Sequence, residues 1–347
     1  MGLKADAAVE DARALALDAL NAGRGIDPIY AVSVCDRAVV LLTPLGASET
    51  LADVLRWKGS ILRDSGQHAA ASDCYAESLG VADAISYKLG RAHALNCFGT
   101  IAQCRSELKA ARRWYRSAQR LAGELGDRRL LGMIEQNLGV IAATEGEWAD
   151  ALTHFQTALA SFEIARDKPA LIWVLNNLGR LYTRERFFDA ASHALDRALR
   201  IAAELGDGAS EAIVEENRSR LFLATGDLDE AEEAATRALG MASQRGDGTR
   251  EAAALHLLAR IRRLRDRSSP DVVAILNRAL QLAQSGEDRE LKVDILRELA
   301  YTCEDCDQVT RASEYRRAAQ KLAGGDASQA LIGLSDIALD SASLRPT

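Results

Sequence analysis

Apolar residues along this chain recur at i, i+3, i+4 and i+7 in successive stretches separated by short breaks rich in Gly and Asp. That periodicity predicts amphipathic helices from one end to the other. The stretches also repeat. Asn177-Leu178-Gly179 lies 40 residues after Asn137-Leu138-Gly139, and stepping by 40 gives Ala19, Gly59, Gly99, Gly139, Gly179, Ser219 and Ala259, then Ala300 after one extra residue. Twelve residues on, a second column reads Ala31, Ala71, Ala111, Ala151, Ala191, Ala231 and Ala312, broken in the seventh unit by Asp271-Val272 after an insertion around Arg265 to Pro270. Sixteen on come Cys35, Tyr75, Tyr115, Phe155, Leu195 and Ala235, and nineteen on come Ala38, Ser78, Ala118, Ala158, Ala198, Ala238, Ala279 and Ala319.

The columns have a packing reason. Two helices per unit approach closely where both carry small residues, and the Tyr, Phe or Leu position fills the space beside their crossing. A bulky residue at Ala151 or Ala191 is expected to overpack that crossing at a cost of about 1–3 kcal/mol. Helix ends are periodic too: Gly46, Gly126, Gly206, Gly246 and Gly286 share a column, with Ser86 and Arg166 as exceptions. The next column reads Asp127, Asp167, Asp207, Asp247 and Glu287. Glycine supplies the left-handed residue that stops one helix, and the carboxylate after it caps the next. Pro169 and Pro270 fall just inside helix starts, where a missing N–H costs nothing.

On these residues, above all Asn137-Leu138-Gly139 with Gly146, Trp148, Ala151, Phe155 and Ala158, and Asn177-Leu178-Gly179 with Tyr182, Ala191 and Ala198, the chain resembles the tetratricopeptide repeat family. The resemblance covers about residues 5–326, in units of about 5–46, 47–86, 87–126, 127–166, 167–206, 207–246, 247–286 and 287–326. These units are about six residues longer than the family's usual one, roughly 9 Å of added helix. Long units of this kind look like those of spindle-orientation adaptors and bacterial signalling sensors. HEAT repeats share the period but not the columns. The resemblance implies an all-α, right-handed solenoid of about eight helix-turn-helix repeats whose first helices line a concave groove.

Repeat arrays present an extended surface whose chemistry is read column by column. Two positions before the small residue stand Trp57, Cys97, Asn137, Asn177 and Asn217. In tetratricopeptide domains an asparagine here commonly holds the backbone of an extended peptide, for which its amide has both donor and acceptor. One position after the small residue the chain reads Ser60, Thr100, Val140, Arg180, Arg220, Arg260 and Tyr301, with Arg184 and Arg263 about a turn further on. Successive arginines predict a basic stripe suited to carboxylates or phosphates, partly neutralised by Glu215 and Glu216. Met133, Trp173 and Ile213 precede the small residue by six, where Trp173 is either a partner anchor or inter-repeat core. Asn96, Gln136, Asn176, Glu216, His256 and Arg297 form a polar run along the same surface.

Composition narrows the function classes. Alanine makes up about one residue in six of 347 and Pro is scarce at five, which fits helices and leaves too few strand formers for a sandwich or barrel. A net charge of −7 lacks the basic footprint of a nucleic-acid binder. No apolar run approaches the roughly 18 residues of a membrane span. Met1 to Asp11 lacks a secretory signal's apolar region, and Asp6 stands where a myristoylation motif needs Ser or Thr, so the cytoplasm is the expected location. Cys303 and Cys306 form a CxxC without a second pair or a nearby His, and core packing is the expected role of Cys303. The five histidines show no ligand or triad spacing, and phosphate-binding glycine loops are missing. The expectation is no enzyme, no cofactor and no metal. Residues 327–347 leave the period; Leu331, Ile332, Leu334, Ile337 and Leu339 predict a capping helix before a loose tail.

The sequence therefore points to a non-catalytic interaction module that binds an extended acidic or C-terminal peptide. Asn137, Asn177, Asn217 and Asn176 would hold the backbone, Arg180, Arg184, Arg220, Arg260 and Arg263 would receive carboxylates, and Trp173 would anchor a side chain. A sensor arm of a larger bacterial signalling or transcription protein and a self-assembling scaffold are the alternatives.

Overall fold

The computed structural model describes Ala14 and residues 27–267, 271–284 and 288–323. Within these residues the chain is helical, with no strand. The helices are α1 (Pro28–Leu42), α2 (Glu49–Asp64), α3 (His68–Ala84), α4 (Lys88–Cys104), α5 (Leu108–Leu125), α6 (Arg128–Thr144), α7 (Trp148–Ala165), α8 (Lys168–Arg184), α9 (Phe188–Leu205), α10 (Gly208–Thr225), α11 (Leu228–Arg245), α12 (Gly248–Arg265), α13 (Asp271–Gln284), α14 (Arg289–Asp305) and α15 (Val309–Ala323). From α2 onward they succeed one another as helix-turn-helix repeats in the expected phase, and α1 is the second helix of the first unit. The described residues divide into two compact units, one running to Ile141 and including Ala160–Ala165, the other comprising Ala142–Leu159 and the residues from Arg166 on.

Turn geometry explains why the period survives sequence changes. Gly46, Gly126, Gly206 and Gly246 all have positive φ, between 64° and 92°, and so do the two exceptions in their column, Ser86 (57°) and Arg166 (53°). A second left-handed column, inside each repeat, holds Gly66, Ser106, Gly146, Arg186, Gly226 and Asp307. The backbone keeps its conformation even where a side chain makes it unfavourable. At the insertion the pattern fails: Asp266 is extended, with φ −143°. The carboxylate column caps as expected, with Leu130, Ala170, Ser210 and Arg250 donating backbone N–H to Asp127, Asp167, Asp207 and Asp247 at 2.9–3.1 Å. In the last repeat the cap is Asp288, which accepts from Leu291 N at 2.9 Å.

The small-residue columns form the helix crossings. Ala31, Ala71, Ala111, Ala151, Ala191 and Ala231 are fully buried, and Val272 takes over in the interrupted unit. A Cβ built at Gly59, Gly99 or Gly179 would stand 2.6 Å from Tyr75 Cε1, 2.4 Å from Tyr115 Cε1 and 2.5 Å from Leu195 Cγ, respectively. Where the partner shrinks to Ala235, the small position enlarges to Ser219, whose hydroxyl donates to the Ala231 carbonyl at 2.8 Å. The larger residue at the small position thus partly fills the space that the smaller partner leaves.

One sequence expectation needs correction. Pro28–Leu45, with mean hydropathy 1.4, is by length and composition apolar enough to cross a membrane; Asp36 and Arg37 interrupt the run and hide it from a count of uninterrupted apolar residues. Its Ala31, Val34, Cys35, Ala38 and Leu42 form a core with Leu51, Val54 and Leu55 of α2. Ala19, Pro270, Gly286, Glu287 and the expected capping helix with its tail (327–347) lie outside the described residues.

Candidate functional site

In the second unit the first helices of four successive repeats, α8, α10, α12 and α14, line a cavity of about 270 Å³. The sequence of α8 explains the orientation. Leu171, Ile172, Val174, Leu175, Leu178 and Leu181 are buried, which leaves Trp173, Asn177, Arg180 and Arg184, spaced four, three and four apart, on the cavity side. On α10 the equivalent stripe is Ile213, Glu216, Asn217 and Arg220. Arg250 and Ala253 come from α12; Glu290, Leu291 and Asp294 come from α14, with Asp288 at its cap.

The asparagines of one column do different work. Asn217 is buried and already occupied: its Nδ2 donates to Asn176 Oδ1 at 2.8 Å and to the Ile213 carbonyl at 3.2 Å, while its Oδ1 accepts from Arg220 at 3.0 Å. In the first unit Asn137 likewise donates to Asn96 Oδ1, at 3.1 Å. These bonds tie consecutive first helices together. Asn177 differs. Among the described residues its side chain, like that of Arg180 one turn on, makes no hydrogen bond or ion pair with the protein, and both line the cavity.

The arginines also separate. Arg180 is half-buried, and burial, reinforced by the neighbouring Arg220 charge, lowers its pKa to about 10. Arg220 is lowered by burial as well, against the attraction of Glu216. Arg184 stacks over the Trp148 ring at 3.8 Å. Arg263 does not line the cavity; it binds Glu298 at 2.7 Å and Asp305 at 2.8 Å, which commits both edges of its guanidinium. Arg260 is half-buried and also lies outside the cavity lining. Trp173 is 42% exposed, so it stands at the rim and not in the inter-repeat core.

The acids are where the sequence reading was least complete. Glu215 turns away from the cavity to Arg237 on α11, at 2.8 and 3.2 Å, and therefore does not neutralise the stripe. Glu216 is 2% exposed, and its Oε2 lies 3.5 Å from Arg250 and 3.8 Å from Arg220. Its Oε1 is buried without a hydrogen-bond partner, and burial foremost raises its pKa. With Asp288, Glu290 and Asp294 the cavity wall holds four carboxylates against Arg180, Arg184, Arg220 and Arg250. The expected basic stripe is thus a charge-balanced wall. Asp294 falls in the Met133, Trp173 and Ile213 column after the one-residue insertion and was findable there; Arg250 has no periodic signal, because no other repeat places a cation at its position.

Among the described residues no group of three or more His, Cys, Asp or Glu side chains is placed to hold a metal. Cys303 is buried and Cys306 exposed, and both are free thiols. Burial pushes the Cys303 thiol up, which makes it a poor nucleophile.

Residues 130–204 match the tetratricopeptide repeat family. No curated protein is significantly similar in sequence. Many solved structures share the fold, and three of them illustrate it. The apo form of RapI is 12% identical, with 78% of this chain and 97% of that one covered, at a TM-score of 0.64. A Rap protein complexed with competence and sporulation factor is 14% identical over 92% and 99%, at 0.63. The Cut9–Hcn1 hetero-tetramer of APC/C is 14% identical over 96% and 55%, at 0.62. At such identities the likeness concerns the fold, an all-α solenoid of helix-turn-helix repeats. Such repeats typically serve as non-catalytic interaction scaffolds.

Proposed function

We propose that this chain, a solenoid of helix-turn-helix repeats whose residues 130–204 match the tetratricopeptide repeat family, is a non-catalytic interaction module whose first-helix face in the second unit binds a peptide carrying a carboxylate. One observation carries the reading: Asn177 and Arg180 stand one helical turn apart on the cavity wall with side chains that no protein group occupies. An amide and a guanidinium at that spacing match a peptide bond and a neighbouring carboxylate. Arg180 is held in a partly desolvated place without an ion pair, a cost that an incoming anion offsets. Trp173 at the rim supplies apolar contact area. Asn217 acts indirectly, by orienting Arg220. Complexes with competence and sporulation factor and with Hcn1 among the structural neighbours fit this use of the fold.

Affinity selection on the immobilised full chain tests the proposal, with a random hexapeptide library bearing free carboxyl termini as the probe. Enrichment of acidic sequences is expected, with at least about a tenfold loss of affinity in the Arg180→Glu, Arg220→Glu double variant and a flatter salt dependence. Equal retention by wild type and variant would overturn the assignment.

A further inference from the structure

The carboxylates of the same cavity restrict what such a ligand can be. Glu216 is almost fully buried, yet Oε1 has no donor, and the two arginines near Oε2 are at 3.5 and 3.8 Å. Neither arginine completes the shell: Arg220 Nη1 donates to Asn217 and stays 3.8 Å from Oε2, and the approach of Arg250 is at the limit of a hydrogen bond. A buried carboxyl oxygen left without a partner in this way is costly. Glu216 lines the cavity. Glu290 and Asp294 of α14 line the same cavity, and their charges act on Arg180 and Arg220, respectively. Asp288 is already spent on its helix cap, and Asp294 shares its charge with Arg297 at 3.5 Å; Glu290 is exposed. A purely anionic ligand drawn in by Arg180 would also meet these carboxylates and be repelled by them, whereas a ligand with both signs is complementary to both kinds of lining charge. The cavity, about 270 Å³, is at or below the usual size for a small-molecule site, so it takes a chain end or one or two side chains.

We propose that the ligand presents an ammonium group beside its carboxylate: the carboxylate meets Arg180 and Asn177, and the ammonium donates to Oε1 of Glu216 and faces Glu290. This rests on the peptide-binding reading of α8 and deepens it. The ammonium comes from a free amino terminus or from a lysine, and the two sources are separable.

The test uses the immobilised full chain and four synthetic hexapeptide libraries, all with free carboxyl termini: amino-terminally free or acetylated, each with or without lysine. Retention is expected to fall about tenfold or more in the acetylated, lysine-free library, the cost of losing a hydrogen bond between charged groups. The two intermediate libraries show which amine is used. Glu216→Gln is expected to abolish the preference for an amine while acidic peptides are still retained. Glu290→Gln, at an exposed position that leaves the fold intact by its thermal melt, is expected to reduce the preference. Equal retention from all four libraries, or an amine preference that survives Glu216→Gln, would overturn this inference and leave the peptide-binding reading standing. Retention of no peptide from any library would overturn both.

Discussion

Asn217 on α10 donates its side-chain amide to Oδ1 of Asn176 on α8 at 2.8 Å, and that bond joins the first helices of two consecutive repeats. Asn177, in the same sequence column as Asn217, has no such partner among the described residues and lies open to the cavity. Identical columns therefore divide into a joint and a candidate ligand contact.

Substitution separates the two roles. Asn217→Ala breaks two donated bonds and one accepted bond inside a buried site, and a loss of about 1–3 kcal/mol is expected in urea unfolding. Asn177→Ala is expected to leave stability within about 0.5 kcal/mol while weakening peptide retention. A stability loss at Asn177 equal to that at Asn217 would contradict the division.

Arg180 is expected to show the opposite of a structural residue. Its charge is desolvated without an ion pair, so Arg180→Gln should leave the melting temperature unchanged or raise it. Calorimetry that shows a clear drop would mean that the guanidinium supports the fold.

Crossing geometry predicts contrasting glycines on neighbouring helices. Gly99→Ala places a methyl 2.4 Å from the Tyr115 ring and is expected to cost about 1–3 kcal/mol. Gly123 of α5 has nothing within 4 Å of a built Cβ, so Gly123→Ala is expected to gain about 0.5–1 kcal/mol from helix propensity. Denaturant midpoints of the two variants should move in opposite directions.

The left-handed serines offer a second stabilisation. Ser86 and Ser106 have φ of 57° and 60°, and glycine there removes a side-chain penalty that outweighs its own entropy loss. Ser86→Gly and Ser106→Gly are each expected to add about 0.5–1 kcal/mol, and a lower melting temperature in either would count against it.

Buried His256 couples stability to acid. Burial lowers its pKa from 6.5 to about 4, against the nearby charge of Glu298. Its contribution is present above pH 6.5 and is lost as pH falls toward about 4, because the unfolded chain then binds the proton first; the shift corresponds to about 3 kcal/mol. Urea unfolding of His256→Leu across that window should be flatter than wild type, and parallel curves would refute the assignment.

The repeats, their phase, the caps and the helix crossings were legible in the sequence because each is a local requirement that recurs at a constant interval. A left-handed turn, an N-terminal carboxylate and a small residue at a crossing are needed again in every unit, so columns such as Ala111, Ala151 and Ala191 identify them. Even so, Ser86 and Arg166 show that backbone geometry outlasts its usual residue. Only the tertiary structure decided which polar groups remain open. Asn177 and Asn217 are equivalent as sequence, but the bond that occupies Asn217 is made to Asn176, 41 residues away. Whether a donor or a carboxylate arrives depends on the neighbouring repeat, not on the column, and so the charge-balanced wall around Glu216 appears only when α8, α10, α12 and α14 are brought together.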